Sequence, residues 1–469
     1  MIKLYNSLTR QVSNFTPLSE DGTVRMYSCG PTVYGYPHIG NMRAYLFMDI
    51  LRRVLKYNKY KIYGVMNITD VGHLTSDEDE GEDKMEKSAK RENKSPYEIA
   101  NYYTKIFLRD LGRLNVDMPE KIAKATDHID EMIAFIKKLE ENGFTYIIKD
   151  GVYFDTAKFA DYGKLSGMNL EDKLAGARVE VNEEKRNPCD FALWKFVDDN
   201  HIMKWESPWG VGCPGWHIEC SAMGNKYLGE HFDIHTGGID HLTVHHENEI
   251  AQNNCALGHK VVERWMHCEF LQIDGGKMSK SLGNIYTLDD LEAKGFSPID
   301  FRYLNLQTTY RKKLNFTFDA LASAKTALTR LRALVLANKE VKRKLTSEEI
   351  ATLTKFSVSF TDAINDDLNT ASALGVLWDM LKTMPKSEDV FALAIKFDEV
   401  LGLNLGNCEQ KEENDKNNNI PNNVIELANK RLEARRQKNF KLSDDLRDEI
   451  FALGFKVLDT KDGFELSKI

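Results

Sequence analysis

The sequence predicts an α/β chain: a parallel-sheet domain carrying an insertion, followed by an α-helical bundle and a small mixed α/β C-terminal domain. Three observations predict it. Apolar runs at 24–29 and 61–68 flank a helical pattern at 42–55, the strand, helix, strand order of a parallel unit. After Phe316 the character changes, with Leu321, Ala324, Leu328, Leu331 and Val335 recurring at helical spacing and the pattern continuing to about Leu403. Residues 408–423, packed with Asn, Glu and Lys around a single Pro, read as a linker that sets off the last piece.

Each element follows from local pattern. The first strand runs into a Gly30–Pro31 turn. Residues 75–93, dominated by Asp, Glu and Lys, cannot bury much and read as a surface loop or exposed helix. Two amphipathic helices are expected within 96–143, and short β-like pieces such as 152–154 and 191–196 mark an insertion at about 117–207. The α/β pattern then resumes with a helix at 215–228, a strand at 232–235 and a helix at 244–257. The expected domains are 1–260 for the sheet domain, 261–316 for a lysine-loop and stem-contact region, 317–407 for the bundle and 424–469 after the linker. In the last domain Leu442, Leu446, Ile450 and Leu453 form a helical stripe and 455–458 a strand.

With 469 residues, 42% of them hydrophobic, the chain is too long for one core. Its N-terminal residues carry no signal pattern, and no apolar run approaches membrane-spanning length. Seven scattered cysteines, an odd number, argue against a disulfide framework and for a reducing, cytoplasmic compartment, where a special cysteine is a ligand. The net charge of −8 does not advertise nucleic-acid binding. Local basic clusters could still supply it, namely Arg311 to Lys313, Lys339 to Lys344, and Lys430, Arg431, Arg435, Arg436, Lys438 and Lys441, although each taken alone reads by default as a solvated helix face.

Three motifs carry chemistry. Pro37, His38, Ile39, Gly40 and Asn41 stand where the first strand turns into the first helix, and a helix N-terminus suits phosphates. Gly40 would let a flat base approach the backbone, and His38 could donate to the phosphate under attack. Second, Lys277, Met278, Ser279, Lys280 and Ser281 lie on a glycine-flanked loop whose two lysines can close over a triphosphate. Third, in the run His245, His246, Glu247, Asn248, Glu249, the residues His245 and Glu249 project from one helical face and could share a metal. A metalloprotease HExxH would need histidine where Ile250 stands. Gly210, Gly212 and Gly215 match GxGxxG, but Pro208 and Trp209 occupy the place of the required strand. Cys213, His217 and Cys220 form a rival local knuckle, ranked below a site assembled from distant segments.

The histidine–glycine turn and the lysine loop, in this order, resemble the two signature motifs of class I aminoacyl-tRNA synthetases. The runs Met26 to Tyr34 and Pro214 to Met223 narrow the resemblance to the cysteinyl-tRNA synthetases, and it extends over nearly the whole chain. The resemblance implies a Rossmann-like catalytic domain that activates L-cysteine with ATP and Mg²⁺ and transfers it to tRNA(Cys). It implies one Zn²⁺ per chain on Cys29, Cys220, His245 and Glu249, with Thr69, Trp216 and His235 around the cysteine. Gly237, Asp240 and Lys280 would join His38, Gly40, Asn41 and Lys277 at the nucleotide. The bundle would brace the tRNA stem. Residues 424–469 would reach the anticodon through Arg431, Arg435, Arg436 and Phe464. The family further implies a monomer. Asn41 departs from the histidine that usually ends the signature turn, residues 236–244 depart from a glycine-rich, Phe-Pro form, and Phe464 lies near where a tryptophan is common. A related ligase that joins cysteine to an amino sugar is the alternative.

Overall fold

A computed structural model describes residues 1–72, 84–167, 184–279, 283–406, 422–437, 439–459 and 463–468. They fall into two compact units, Met1–Leu405 and Gly406–Ile469.

In chain order the first unit opens with β1 (Lys3–Asn6), β2 (Gln11–Asn14), β3 (Thr23–Ser28), α1 (Ile39–Tyr57) and β4 (Lys61–Ile68). Next come α2 (Lys84–Glu92), α3 (Pro96–Arg113), β5 (Lys121–Lys124) and α4 (Ile129–Glu141). The strands β6 (Thr145–Ile148), β7 (Gly151–Phe154), β8 (Phe191–Phe196) and β9 (Gly212–Pro214) follow. After them come α5 (Trp216–Leu228), β10 (Phe232–Gly238), α6 (His245–Leu257) and β11 (Val262–Cys268). The central sheet has the order β11-β10-β3-β4-β5, and every pair in it is parallel. Helices cover both faces of such a sheet, so its strands read as continuous apolar runs. β4 is buried without a break from Gly64 to Ile68. Strand order reverses between β3 and β10, and ligands of open parallel sheets bind over the strand C-termini at such a point. Cys29 leaves the end of β3 there, and His235 to Gly238 close β10.

Three boundaries differ from the sequence expectation. The sheet continues to Cys268, past residue 260, because β11 completes its edge. β5 belongs to the same sheet although it lies inside the expected insertion; four residues with lysines at both ends carry no strand signal and are recruited by pairing with β4. The insertion's own antiparallel sheet, β6-β7-β8-β9, runs to Pro214, past residue 207. Within 75–93, residues 75–83 lie outside the described set, and α2 is not an exposed helix, since Met85, Ser88 and Ala89 are buried.

The helices Phe318–Leu336, Ser347–Asn365, Thr370–Thr383 and Glu388–Leu401 follow. Leu321, Ala324, Leu328, Leu331 and Val335 are all buried, in one core continuous with Met42, Leu46 and Ile50 of α1. A fully buried ion pair ties a further helix, Pro298–Leu306, to α1: Arg302 Nη2 meets Asp49 Oδ2 at 2.5 Å, and Arg302 Nε donates to Leu401 O at 2.7 Å. The second unit holds helices Asn422–Arg436 and Phe440–Ala452 and the antiparallel pair Phe455–Asp459 and Phe464–Lys468. Val424, Ala428, Ile450, Phe455 and Val457 form its core. Leu446 is also buried, whereas Leu442 and Leu453 are exposed ends of the stripe. Of the linker, 408–421 lie outside the described residues.

Candidate active site

Cys29, at the end of β3, meets Cys220 on α5 with the sulfurs 4.0 Å apart. The first turns of α6 bring His245 and Glu249 to them, four residues apart on one face. One ligand atom from each of the four lies within 4.8 Å of all the others, and all four residues are buried. Two thiols, an imidazole and a carboxylate of this kind suit a borderline-soft divalent metal ion. A second group, Cys29, His235, His246 and Glu249, meets the same distance limit.

Electrostatics favour the ligand-ready form of Glu249 and of one thiol, Cys220, while His245 and Cys29 hold protons that a metal would displace. Burial alone would neutralise Glu249, but His235 and His245 hold its carboxyl well below the usual range; their Nε2 atoms lie 2.8 and 2.9 Å from its two oxygens. Burial also works against a charged His245, yet the Glu249 carboxylate and the Cys220 thiol lift its imidazole to about 10. Of the two thiols, burial raises Cys29. Cys220, against the same burial, is brought down to about 6 by the hydrogen bond with Cys29 and by His245. One thiolate is therefore already favoured. Beneath the four, His246 Nε2 is 3.2 Å from the Cys29 sulfur, its Nδ1 is 2.8 Å from His267 Nε2, and His267 Nδ1 is 2.7 Å from Ser7 Oγ.

The signature turn forms the N-terminus of α1. His38 is the N-cap, and a reciprocal capping box joins it to Asn41: the Asn41 N–H donates to His38 Nδ1 and the His38 N–H to Asn41 Oδ1, both at 3.1 Å. A neutral His38 then carries its ring proton on Nε2. The helix end is less open than the sequence suggests, because the Ile39 N–H also donates, to Tyr286 O at 2.8 Å. A Cβ on Gly40 would stand 3.0 Å from both His38 Nδ1 and Met278 Cε, so glycine lets the lysine loop close against this turn. Asn284 anchors that loop, accepting from the Ser279 N–H at 2.9 Å and donating to Lys277 O at 3.2 Å. A cavity of about 1180 Å³ connects the metal-ligand group with the turn and the loop, and Thr69 and Trp216 line it between them.

A family model described as "tRNA synthetases class I (C) catalytic domain" matches residues 15–326, and one described as "DALR domain" matches 359–405. The chain is 44% identical to a cysteine–tRNA ligase of Treponema denticola, over 97% of this chain and 96% of that one. It is 46% identical to cysteine–tRNA ligase 1 of Burkholderia lata, over 99% and 96%. The chain belongs to the class I cysteinyl-tRNA synthetases. Among solved structures, Mycobacterium tuberculosis methionyl-tRNA synthetase in complex with methionyl-adenylate shares the fold, with a TM-score of 0.56 and 13% identity over 81% of this chain and 88% of that one.

The synthetase brings most of the expected residues to one cavity: Cys29, Cys220, His245, Thr69, Trp216, His38, Gly40, Asn41, Asp240 and Lys277 all line it. Two do not. His235 is buried below, bonded to Glu249 and stacked on Trp265 with ring centroids 4.6 Å apart, so it supports the ligand group rather than the cavity wall. A Cβ on Gly237 would come within 2.7 Å of His241 and His246, which places this glycine against the histidines, while Gly238 lines the cavity. Lys280 lies outside the described residues. In the second unit Arg435 is exposed, but Arg431 is only 5% exposed. The spacing Val424, Ala428, Arg431, Ala434 puts it on the buried face of its helix. The side chain of Arg436 and the whole of Lys438 lie outside the described set. Phe464 is half-buried and packs against that unit's core.

Sequence reasoning missed His246, Glu219, His267 and Ser7. Glu219 accepts from Thr69 Oγ1 at 2.6 Å, and burial pushes its carboxyl well up, so the pair fixes the threonine at the cavity wall. His246 carried a signal, being three residues from Glu249 on the same helix. Ser7 and His267 carried none, because only the fold places β11 and the turn after β1 beside α6.

Proposed function

We propose that the chain is a cysteine–tRNA ligase that activates L-cysteine with ATP and esterifies tRNA(Cys). The observation that carries the reading is the buried Cys29, Cys220, His245, Glu249 group, which opens on the cavity that also holds the signature turn and lysine loop. In the first step a cysteine carboxylate oxygen attacks the α-phosphorus of ATP and pyrophosphate leaves with its electron pair. In the second, a hydroxyl of the terminal ribose attacks the mixed anhydride and AMP leaves.

His38 would offer its Nε2–H to the phosphate under attack, and Lys277 and Lys280 would neutralise the departing pyrophosphate, which travels with Mg²⁺. Asp240 and the turn at Gly237 and Gly238 would border the nucleotide. Thr69, held by Glu219, and Trp216 would orient the amino acid. The four ligand residues fit Zn²⁺, one per chain, and zinc bound there would select a thiolate over a hydroxyl. A hydrophobic pocket alone distinguishes such close analogues weakly, and that coordination makes editing unnecessary. The helices from 317 to 401 would brace the tRNA stem, and the unit from 422 onward would meet the anticodon through Arg435, Arg436 and Phe464. No helix among the described residues is long and apolar enough to cross a membrane. A cytoplasmic monomer fits this reading.

The test is charging of total bacterial tRNA with labelled cysteine by zinc-replete protein, with serine as competitor. Stable cysteinyl-tRNA with little serine incorporation is expected. Cysteine-dependent pyrophosphate exchange without charging of any tRNA would overturn the reading in favour of a ligase acting on an amino sugar.

A further inference from the structure

Tyr36 and Tyr102 are 52% and 41% exposed, unusual for two large rings that touch each other. Their hydroxyls are 3.1 Å apart and their centroids 6.4 Å, nearly perpendicular. Tyr103 braces both: its centroid is 5.1 Å from each, and it is itself buried, its hydroxyl donating to Glu92 at 2.6 Å. The three rings thus pack as one cluster in which Tyr36 and Tyr102 remain partly exposed to water. Tyr36 lies two residues before His38 and lines the same cavity as the signature turn, as do Tyr103 and Arg91. Lys94 Nζ stands 4.6 Å over the Tyr102 ring. Glu92 contacts both Arg91 and Lys94, at 3.0 and 3.4 Å, so two cations share one carboxylate.

The cavity, about 1180 Å³, is larger than the roughly 300–1,000 Å³ of a site for one small ligand. The ester-forming step needs that space, because the terminal ribose must reach the activated carboxyl. The last nucleotides must therefore enter unpaired. Unpaired bases stack on aromatic rings without regard to sequence, and adjacent positive charge holds their phosphates. On the functional reading above, we infer that Tyr36 and Tyr102, braced by Tyr103, are a stacking platform for an unpaired base at the 3′ end of the RNA substrate. Arg91 and Lys94 supply the positive charge beside it.

The test uses the full, zinc-replete chain with tRNA whose terminal adenine is replaced by 2-aminopurine, a base whose fluorescence falls on stacking. Tyr36→Ala and Tyr102→Ala should each raise the KM for tRNA about 5- to 100-fold. They should also reduce the quenching, while cysteine-dependent pyrophosphate exchange, which needs no RNA, shifts less than about twofold. Tyr36→Phe should keep both KM and quenching, since the ring stacks without its hydroxyl. An unchanged KM for tRNA in Tyr36→Ala would overturn the platform. A raised KM for ATP in exchange would assign the ring to the nucleotide instead, and Tyr36→Phe as impaired as Tyr36→Ala would reduce the pair to a surface hydrogen bond; either result overturns it. Absence of cysteine-dependent exchange in the unaltered chain would instead overturn the functional reading on which this rests.

Discussion

Glu249 stands between two imidazoles, one carboxylate oxygen on His245 and the other on the supporting His235. Removing its charge should therefore cost the metal. Glu249→Gln and Cys220→Ser are expected to bind well under one equivalent of zinc and to lose cysteine affinity together, by metal analysis and cysteine titration. Retention of both would refute the ligand assignment. His235 does not line the cavity, so its replacement reads support rather than contact. His235→Asn should weaken metal affinity about 10- to 100-fold, as loss of a ligand's hydrogen-bond partner typically does, measured by competition with a chelator. Full affinity would leave Glu249 oriented by His245 alone.

At the scale of elements, α1 carries both the signature turn and the buried Asp49, which accepts from Arg302 Nη2, Arg53 Nε and the Asp117 N–H. Arg302 is fully buried, so Asp49→Ala strands its charge. The expected loss is about 3–5 kcal/mol in urea unfolding, where a loss under about 1 kcal/mol would mean the arginine finds water. Glu120 locks β4 to α1 through Arg52 and the Gly64 N–H. Partial burial raises its carboxyl, but Arg52 and the Gly64 N–H outweigh that and hold it below the ordinary value. A lowered folded-state value stabilises above the unfolded carboxylate value of about 4.3 and is lost as pH falls through the folded one. Glu120→Gln should therefore lower the melting temperature at neutral pH and lessen its further drop below about pH 4.3. An unaltered acid profile would remove Glu120 from the acid response.

On the scale of the whole molecule, sheet domain and bundle share one core, whereas Gly406–Ile469 packs around its own. A chain ending at Asn407 is expected to fold and to catalyse cysteine-dependent pyrophosphate exchange, but to charge tRNA poorly. Unimpaired charging would separate the terminal unit from RNA binding. Periodicity exposed the bundle's buried face, from Leu321 to Val335, because a long amphipathic helix writes its packing into residue spacing. The strands β3 and β4 were legible as apolar runs for the matching reason in a buried parallel sheet.

By itself, then, the sequence determined the first strand–helix–strand unit, the helical bundle, the signature turn and lysine loop as motifs, and the placing of His245 and Glu249 on one helical face, since each depends on neighbours within a few residues. Tertiary structure alone decided that Cys29 and Cys220, 191 residues apart, stand with their sulfurs at 4.0 Å. It also decided that Lys121–Lys124 completes the sheet, that Arg431 is buried, that His235 is bonded to Glu249, and that Ser7 and His267 reach His246. Such contacts depend on where strand order reverses and on how helices pack across the sheet, and no local window of residues contains that information.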